Sequence, residues 1–252
     1  MKPLLLVLSA LLLLPNFFTA HLAEKPRYDN KEQFNPGLAY INSTEKLIEV
    51  SDSIADKNNI PQNSLGYAVT VSQILRNRFY HGFSRYPLNQ NWIAAVSELT
   101  MGNGLASIVD PDNILKYNFG GCSQQSIVLM EVMRRKNIPY RSVGFPHHYA
   151  TELMFDNNWY FFDPNMEPNI PDSARLENKW KSNIGNLKKY YDTSRFKNLD
   201  WIFGNSISIG KVNAPPAPNA SMFHTATHYL SKTLWIFPLV FVFYRRKGKA
   251  KK

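Results

Sequence analysis

The chain has 252 residues, of which 44% are hydrophobic and 19% charged, which suits one globular domain of moderate size with additional terminal segments. Its net charge is +10, but eight positive charges lie in the two hydrophobic ends, which leaves +2 for residues 24–231. A body so close to neutral argues against a nucleic-acid-binding protein, and a single cysteine excludes an internal disulfide framework.

Residues 1–23 are predicted to be a secretory signal peptide or an uncleaved signal anchor. Lys2 precedes an apolar run over residues 4–14, and a charged start before a short hydrophobic stretch is typical of such signals. Ala20 and Ala23 are the candidate cleavage positions. These features predict an exported protein.

Residues 24–111 are predicted to form a mainly helical N-terminal part of the domain. Residues 24–43 are polar and contain prolines, which indicates an extended arm. Helices are predicted after Ser43 and after Ser64, because each serine can cap a helix ahead of apolar residues at helical spacing. A third, short helix is predicted over residues 92–99.

Residues 112–212 are predicted to hold the core of the domain and a C-terminal extension. A helix is predicted over residues 123–136, where apolar side chains recur on one face. Three strand-like runs follow, at residues 140–145, 148–155 and 159–163. The polar residues between the last two runs indicate a hairpin turn, and a further helix is predicted around residues 174–191. The expected class is therefore α+β, with a helix packed against an antiparallel sheet.

The C-terminal end is predicted to attach the protein to a membrane. Residues 213–221 are a Pro-rich linker, residues 222–244 a hydrophobic anchor, and residues 245–252 a basic tail. The positive-inside rule places such a tail in the cytoplasm and the domain on the periplasmic or extracytoplasmic face. The strongly apolar part, residues 233–244, is shorter than the roughly 20 residues of a full span. A short interfacial or core helix and a sorting tail that is removed are the alternatives.

Cys122 is the candidate nucleophile. It follows Gly120 and Gly121 and opens the predicted apolar helix, where unpaired N–H groups and the helix dipole favour a thiolate. Its backbone N–H is a natural oxyanion donor, and an upstream side chain, Tyr117 or Asn118, is the candidate for a second donor. The alternative role for a lone cysteine is that of a small buried hydrophobic residue.

His148 and Asp163 are the candidate base and orienting carboxylate. They lie on the two strands of the predicted hairpin and can be neighbours across it, and a carboxylate-held imidazole can take the proton of a thiol. His147 competes as the base, but the four-residue step to Glu152 and the 15-residue step to Asp163 favour His148. Glu152 is either a supporting partner or a solvated residue. Asp163, which precedes Pro164, is alternatively a turn former.

Four sequence blocks in this order resemble the transglutaminase-like superfamily, and its bacterial members most. The blocks are GCSQQ at residues 121–125, NIPYRSV at 137–143, HYATEL at 148–153 and WYFFDP at 159–164. The resemblance covers about residues 112–168. It implies a papain-like core with Cys122 as nucleophile, His148 as base and Asp163 as orienter.

The chain also departs from that family in ways that bear on its activity. Ala150 stands where an aromatic residue is usual two positions after the histidine, and Ser123 stands where the animal enzymes have tryptophan. Nothing resembles the calcium sites of those enzymes, and neither a cofactor nor a metal is expected. These departures favour a peptidase or amidase over a protein cross-linker. The aromatic cluster of Tyr80, His81 and Trp92 is attributed to core packing.

The expected reaction is acyl transfer from an amide through a thioester, either to water or to an amine. Peptides, wall components and surface polymers are the expected substrates. Two alternatives come from other classes of protein. One is a non-catalytic binding or assembly protein on the same fold at the cell envelope, and the other is a structural membrane-surface protein with a buried cysteine.

Overall fold

The computed structural model of the protein describes residues 2–166, 170–193 and 196–247. Its helices, in chain order, are α1 Lys2–Leu13, α2 Thr44–Lys57, α3 Leu65–Arg78, α4 Leu88–Met101, α5 Pro111–Ile114, α6 Cys122–Arg135, α7 Asp172–Arg175, α8 Glu177–Trp180, α9 Gly185–Lys188, α10 Leu199–Phe203, α11 Pro218–Thr233 and α12 Ile236–Lys247. Its strands are β1 Tyr80–His81, β2 Phe119–Gly120, β3 Tyr140–Phe145, β4 His148–Phe155, β5 Asn158–Phe162 and β6 Ser208–Ile209. The predicted α+β class with an antiparallel sheet is confirmed.

The chain divides into two compact units. The sheet unit comprises residues 26–84 and 109–216, and the helical unit comprises residues 1–25, 85–108 and 217–252. All the named strands lie in the sheet unit.

The main sheet has four antiparallel strands in the order β5-β4-β3-β6. The register pairs Phe145 with His148 at one end of the β3–β4 hairpin, and Thr151 with Phe162 across β4 and β5. Asp156 and Asn157 turn the β4–β5 hairpin with φ values of 48° and 59°, a left-handed conformation that Asp and Asn tolerate better than most residues. The three strands expected from the sequence are therefore present, and β6 joins them from a segment that had no predicted strand.

Helix α6 packs against the central strands β3 and β4. Its buried apolar face includes Ile127, Leu129 and Met133, each at most 3% exposed, and burial of such side chains is the main source of its stability. The helix ends where Asn137 takes a positive φ of 56°, two residues before Pro139. The predicted α6 boundaries are confirmed to within one residue.

The other layer of the sheet unit is built from short helices. Val143, Phe145 and Ala150 of the sheet pack with residues of this layer, which include Trp180, Leu187, Tyr191, Leu199 and Phe203. The predicted helix over residues 174–191 is wrong, because the segment forms α7, α8 and α9 instead. Leu176 takes an extended conformation (φ −56°, ψ 132°) and forms an antiparallel bridge with Tyr160 at the sheet edge. This long-range pairing interrupts the local helical preference.

Two of the upstream helices begin at the predicted caps. The Ser43 hydroxyl accepts a hydrogen bond from the backbone N–H of Lys46, and the Ser64 hydroxyl accepts one from that of Tyr67, as helix-capping serines do. The third helix is longer than predicted, since α4 covers Leu88–Met101 with a non-helical residue at Asn91.

A buried arginine joins α3 to the segments around it. Arg78, the last residue of α3, is 1% exposed. Its guanidinium donates to the carbonyl oxygens of Ile41, Ala39 and Leu115 and to Asn118 Oδ1, at 2.9–3.4 Å. Burial lowers the pKa of Arg78 to about 10, so the group stays charged at neutral pH. This clamp fixes the chain just before β2 and α6.

In the helical unit, α1 packs on α12 and α4 packs on α11. The contact between α4 and α11 is polar. Asn91 Nδ2 donates to Thr227 Oγ1 at 2.9 Å and to the His224 carbonyl at 3.2 Å, and Trp92 Nε1 donates to the Ser231 carbonyl at 3.0 Å. The buried face of α11 is therefore a hydrogen-bonding face.

The predicted transmembrane segment is wrong, and so is the localisation by a single C-terminal anchor. No helix in the described part of the chain is both long enough and apolar enough to cross a membrane. Residues 222–244 are divided between the 16-residue α11 and the 12-residue α12, with a turn at residues 234–235. The side chains of the predicted basic tail, residues 245–252, lie outside the described residues. The signal at residues 1–23 stays a prediction.

Candidate functional site

Cys122 is the first residue of α6 and is half-buried. Glutamines in the first turn of α6 fix the loop that carries it. Gln124 Oε1 accepts from the backbone N–H groups of Gly121 and Ser84 at 3.2 and 2.9 Å, and its Nε2 donates to the Ser84 carbonyl at 2.9 Å. Gln125 Nε2 donates to the Gly120 carbonyl at 2.8 Å. Both amides are buried and hold the backbone before the thiol.

Position 121 requires a glycine because of the neighbouring Phe83 ring and not because of its backbone conformation. Its φ is −71°, which any residue can adopt, but a Cβ atom there would lie 2.5 Å from the Phe83 ring. At Gly120 the nearest atom to an added Cβ would be Gln125 Cγ at 3.3 Å. The close approach of the Phe83 ring thus excludes a side chain directly before Cys122.

We expect Gly121→Ala to lower the free energy of unfolding by about 1–3 kcal/mol, because the Phe83 ring must move out of a packed position. Urea denaturation would measure the loss. Gly120→Ala is the matched control and should cost clearly less, since the nearest atom to an added Cβ there lies 3.3 Å away rather than 2.5 Å. Equal losses in the two variants would contradict the steric explanation.

His148, the first residue of β4, and Asp163, the residue directly after β5, form a buried pair. His148 Nε2 lies 2.7 Å from Asp163 Oδ2, and the two side chains are 3% and 0% exposed. Asp163 also accepts from the Tyr191 hydroxyl at 2.7 Å and, through Oδ1, from the Met166 N–H at 3.1 Å. Several donors therefore hold this carboxylate in one orientation.

The Cys122 side chain lies next to the His148 ring, close enough to help raise the pKa of the imidazole. Because Nε2 faces Asp163, Nδ1 is the ring nitrogen left for the thiol. The structure thus brings the three predicted residues together in the order thiol, imidazole, carboxylate. Their spacing along the chain is bridged by the packing of α6 on β4 and by the β4–β5 pairing.

The electrostatics of the pair favour a charged imidazole. Burial lowers the pKa of His148, but the charge of Asp163, the hydrogen bond that the imidazole donates to it and the neighbouring Cys122 side chain outweigh it, so this pKa lies above the ordinary 6.5. Burial raises the pKa of Asp163, but its contacts with His148, Tyr191 and Met166 outweigh it, so that pKa lies below 3.8. An imidazolium beside a carboxylate is therefore the neutral-pH state.

Other residues singled out from the sequence lie elsewhere. The His147 ring stacks on Trp201 with centroids 3.8 Å apart and planes 6° apart, and it takes no part in the hydrogen bond to Asp163. Glu152 is fully buried and forms an ion pair with Arg141 at 2.7 Å, so it is not solvated. Ala150 is fully buried in the core beneath the sheet.

Cys122 and His148 open onto a cleft of about 300 Å³ in the sheet unit, whereas Asp163 is fully buried. Cys122 and His148 border it, and so do Asp29, Glu32, His81 and Asn165. Trp201, 57% exposed, lies at the same cleft beside His147. Neither Tyr117 nor Asn118, the candidates for a second oxyanion donor, is among the described residues that border it.

Sequence reasoning missed most of these cleft residues. The sequence predicts a packing role for His81, but the parallel pairing of β1 with β2 sets it opposite Gly120, next to the loop of Cys122. Its backbone N–H donates to Glu32 Oε2 at 2.5 Å, and its Nδ1 lies 3.1 Å from Asn165 Oδ1. The one sequence feature that could have indicated a cleft residue is the position of Asn165, two residues after the predicted orienting residue Asp163.

Within residues 2–166, 170–193 and 196–247, no three His, Cys, Asp or Glu side chains are grouped so that they could hold a metal ion. No protein family model, curated protein or solved structure matches the chain. The chemistry of the site is therefore inferred from its own residues.

Proposed function

We propose that the protein is a thiol enzyme that transfers the acyl group of an amide through a thioester on Cys122. The observation that carries this proposal is the hydrogen bond between His148 and Asp163, with the Cys122 thiol beside the same imidazole at a cleft. A thiol at a helix N-terminus, next to an imidazole that a buried carboxylate orients, is the arrangement that nucleophilic catalysis by cysteine requires.

Each of the three residues has one task in the reaction. His148 already holds the proton of the thiol, and the Cys122 sulfur attacks the carbonyl carbon of the amide. The backbone N–H of Cys122, at the start of α6, stabilises the resulting oxyanion. His148 then gives its proton to the leaving nitrogen as the C–N bond breaks, and a thioester remains. Asp163 keeps the imidazole oriented and stabilises its charged form.

The second half of the reaction returns the thiol. Water or an amine gives a proton to His148 and attacks the thioester carbonyl, and the C–S bond breaks as the sulfur leaves. Attack by water gives a carboxylic acid, and attack by an amine gives a new amide. We propose peptides, wall components or surface polymers as the amide substrates, with hydrolysis favoured over cross-linking.

The finer fold assignment is also a proposal. A helix that carries the cysteine at its N-terminus and packs on an antiparallel sheet carrying the histidine and aspartate supports a papain-like, transglutaminase-like core. The four sequence blocks that resemble this superfamily fall on α6, β3, β4 and β5 and the turn after it.

Acylation of the thiol tests the proposed function directly. We expect p-nitrophenyl acetate to give a burst of nitrophenol equivalent to one acetyl group per chain, with that group on the peptide containing Cys122. Peptide mass mapping would locate it. Ser123→Ala, the matched control, should retain the burst, and Cys122→Ala should lose it. A burst of the same size in Cys122→Ala would overturn the proposal.

The alternative of a non-catalytic binding or assembly protein is decided by the same experiment. Its support from the sequence was the alanine at position 150, which lies in the core beneath the sheet rather than among the described residues bordering the cleft. A protein with a vestigial triad should show no burst.

A further inference from the structure

Asn165 lies beside the pair of His148 and Asp163 because it follows Asp163 in the same turn. It lies in the turn after Asp163, whose Oδ1 accepts a hydrogen bond from the Met166 N–H at 3.1 Å. The residue is only 8% exposed, and it borders the cleft that also contains Cys122 and His148. The position of its carboxamide is therefore coupled to the position of the orienting carboxylate.

Among the described residues, only the oxygen of the Asn165 carboxamide has a hydrogen-bond partner. Its Oδ1 lies 3.1 Å from His81 Nδ1, and since an amide oxygen can only accept, the ring N–H is the donor. The amide nitrogen carries two further donors, and no described residue accepts a hydrogen bond from either of them. A nine-tenths buried side chain is thus fixed with its donors directed to the cleft.

The donors of Asn165 Nδ2 are accessible from the cleft, since this atom is not among the described buried side-chain atoms that lack a hydrogen-bond partner. Water at such a position can be exchanged for an acceptor on a ligand. Asn165 is the one side-chain amide among the described residues that border the cleft, and the upstream amide of Asn118 is engaged by Arg78.

We propose that Asn165 is a substrate-binding residue whose Nδ2–H donates a hydrogen bond to a carbonyl oxygen of the bound substrate, while His81 holds the carboxamide in place. This inference rests on the proposed function and deepens it. It assigns the cleft to ligands that offer a carbonyl acceptor next to the thiol, as peptides and other amides do.

Two thiol reagents that differ in this acceptor provide the test. Iodoacetamide has an amide carbonyl oxygen one carbon from the reacting centre, and methyl methanethiosulfonate has only the more weakly accepting sulfonyl oxygens of its leaving group. Both are uncharged and react with the same thiolate, so the ratio of their rates at Cys122 cancels any change in thiolate fraction. We expect Asn165→Leu to lower the iodoacetamide-to-thiosulfonate ratio about threefold to tenfold, the worth of one hydrogen bond.

Asn165→Asp keeps an acceptor for His81 and removes both donors, so it should lower the ratio by a similar factor and carries the comparison if the leucine variant does not fold. Asn158→Asp, at the exposed β4–β5 turn, is the matched control and should leave the ratio unchanged. An unchanged ratio in both Asn165 variants would overturn the inference alone. A parent thiol that methyl methanethiosulfonate does not modify at pH 7 would overturn the proposed function instead.

Discussion

Replacing His148 with alanine is expected to lower the rate at which iodoacetamide alkylates Cys122 at pH 6.5 by about 10²-fold, the usual scale of a positioned acid–base group. In the parent protein the imidazole can take the thiol proton, and its pKa is raised by Asp163 and Cys122. The imidazolium therefore persists until the pH rises through this raised pKa. Without the ring, the thiol has no neighbouring base to take its proton.

Mass spectrometry of the single cysteine at several pH values would measure these rates. His147→Ala is the matched control, because that ring stacks on Trp201 rather than bonding to Asp163, and its rate should stay within about twofold of the parent. If His147→Ala caused the larger loss, the base would have been assigned to the wrong histidine. A parent rate at pH 6.5 in His148→Ala would argue against an activated thiol.

Asp163→Asn separates orientation from charge in the pH dependence of acyl transfer. It retains a side chain of the same size but removes the negative charge that raises the pKa of His148. Burial then acts against the imidazolium without that opposing charge, so the pKa of His148 should fall. The alkaline limb of acyl transfer, which requires a protonated imidazole, should accordingly move to lower pH.

Replacing Arg78 with methionine is expected to lower the free energy of unfolding by at least about 3 kcal/mol, because buried oxygen atoms are then left without their charged donor. Those acceptors are the carbonyls of Ala39, Ile41 and Leu115 and the Asn118 side chain. A methionine fills much of the volume but supplies no donor. Guanidinium chloride or urea denaturation, monitored by tryptophan fluorescence, would give the difference.

Two further variants define the cause of that loss. Arg78→Lys keeps the charge but has one compact ammonium in place of a planar fork, so it should recover only part of the stability. Arg134→Met removes a surface arginine that is paired with Glu131 and 58% exposed, and should cost no more than about 1 kcal/mol. A loss at Arg78 as small as that at Arg134 would show that the buried clamp is not a major source of stability.

The elements that the sequence predicted well are those whose signals are local. The strands β3, β4 and β5 show apolar and aromatic runs bounded by turn residues, and Asp156 and Asn157 have side chains suited to a left-handed turn. The proximity of His148 and Asp163 follows from the hairpin, since neighbouring strands of a hairpin must pair. Cys122 at a helix start follows from the apolar face of α6.

The elements that the sequence did not predict depend on contacts between distant segments. Strand β6 pairs with β3 more than 60 residues away along the chain. The break between α7 and α8 exists because Leu176 forms a β-bridge with Tyr160. No local sequence pattern indicates this pairing. His81 reaches the cleft through the pairing of β1 with β2, two strands too short to show any periodicity.

The prediction of a membrane span in the C-terminal segment is wrong for a different reason. Its apolar composition suggested a membrane span, but His224, Thr227 and Ser231 of α11 are buried and hydrogen-bonded within the helical unit. Composition alone does not distinguish a helix that is apolar throughout from one that buries a polar face.

The hydrogen bond from Tyr191 to Asp163 has a consequence for how the protein comes to be reactive. Strands β3 to β5 are joined by short connections and can pair early, since local contacts form fastest. Asp163 gains its bond from Tyr191, 28 residues further along the chain, only when the later segment has docked. The Cys122 thiol should therefore react slowly with electrophiles on a partly folded chain. In the proposed reaction, the orientation of the His148–Asp163 pair therefore depends on the docking of this later segment.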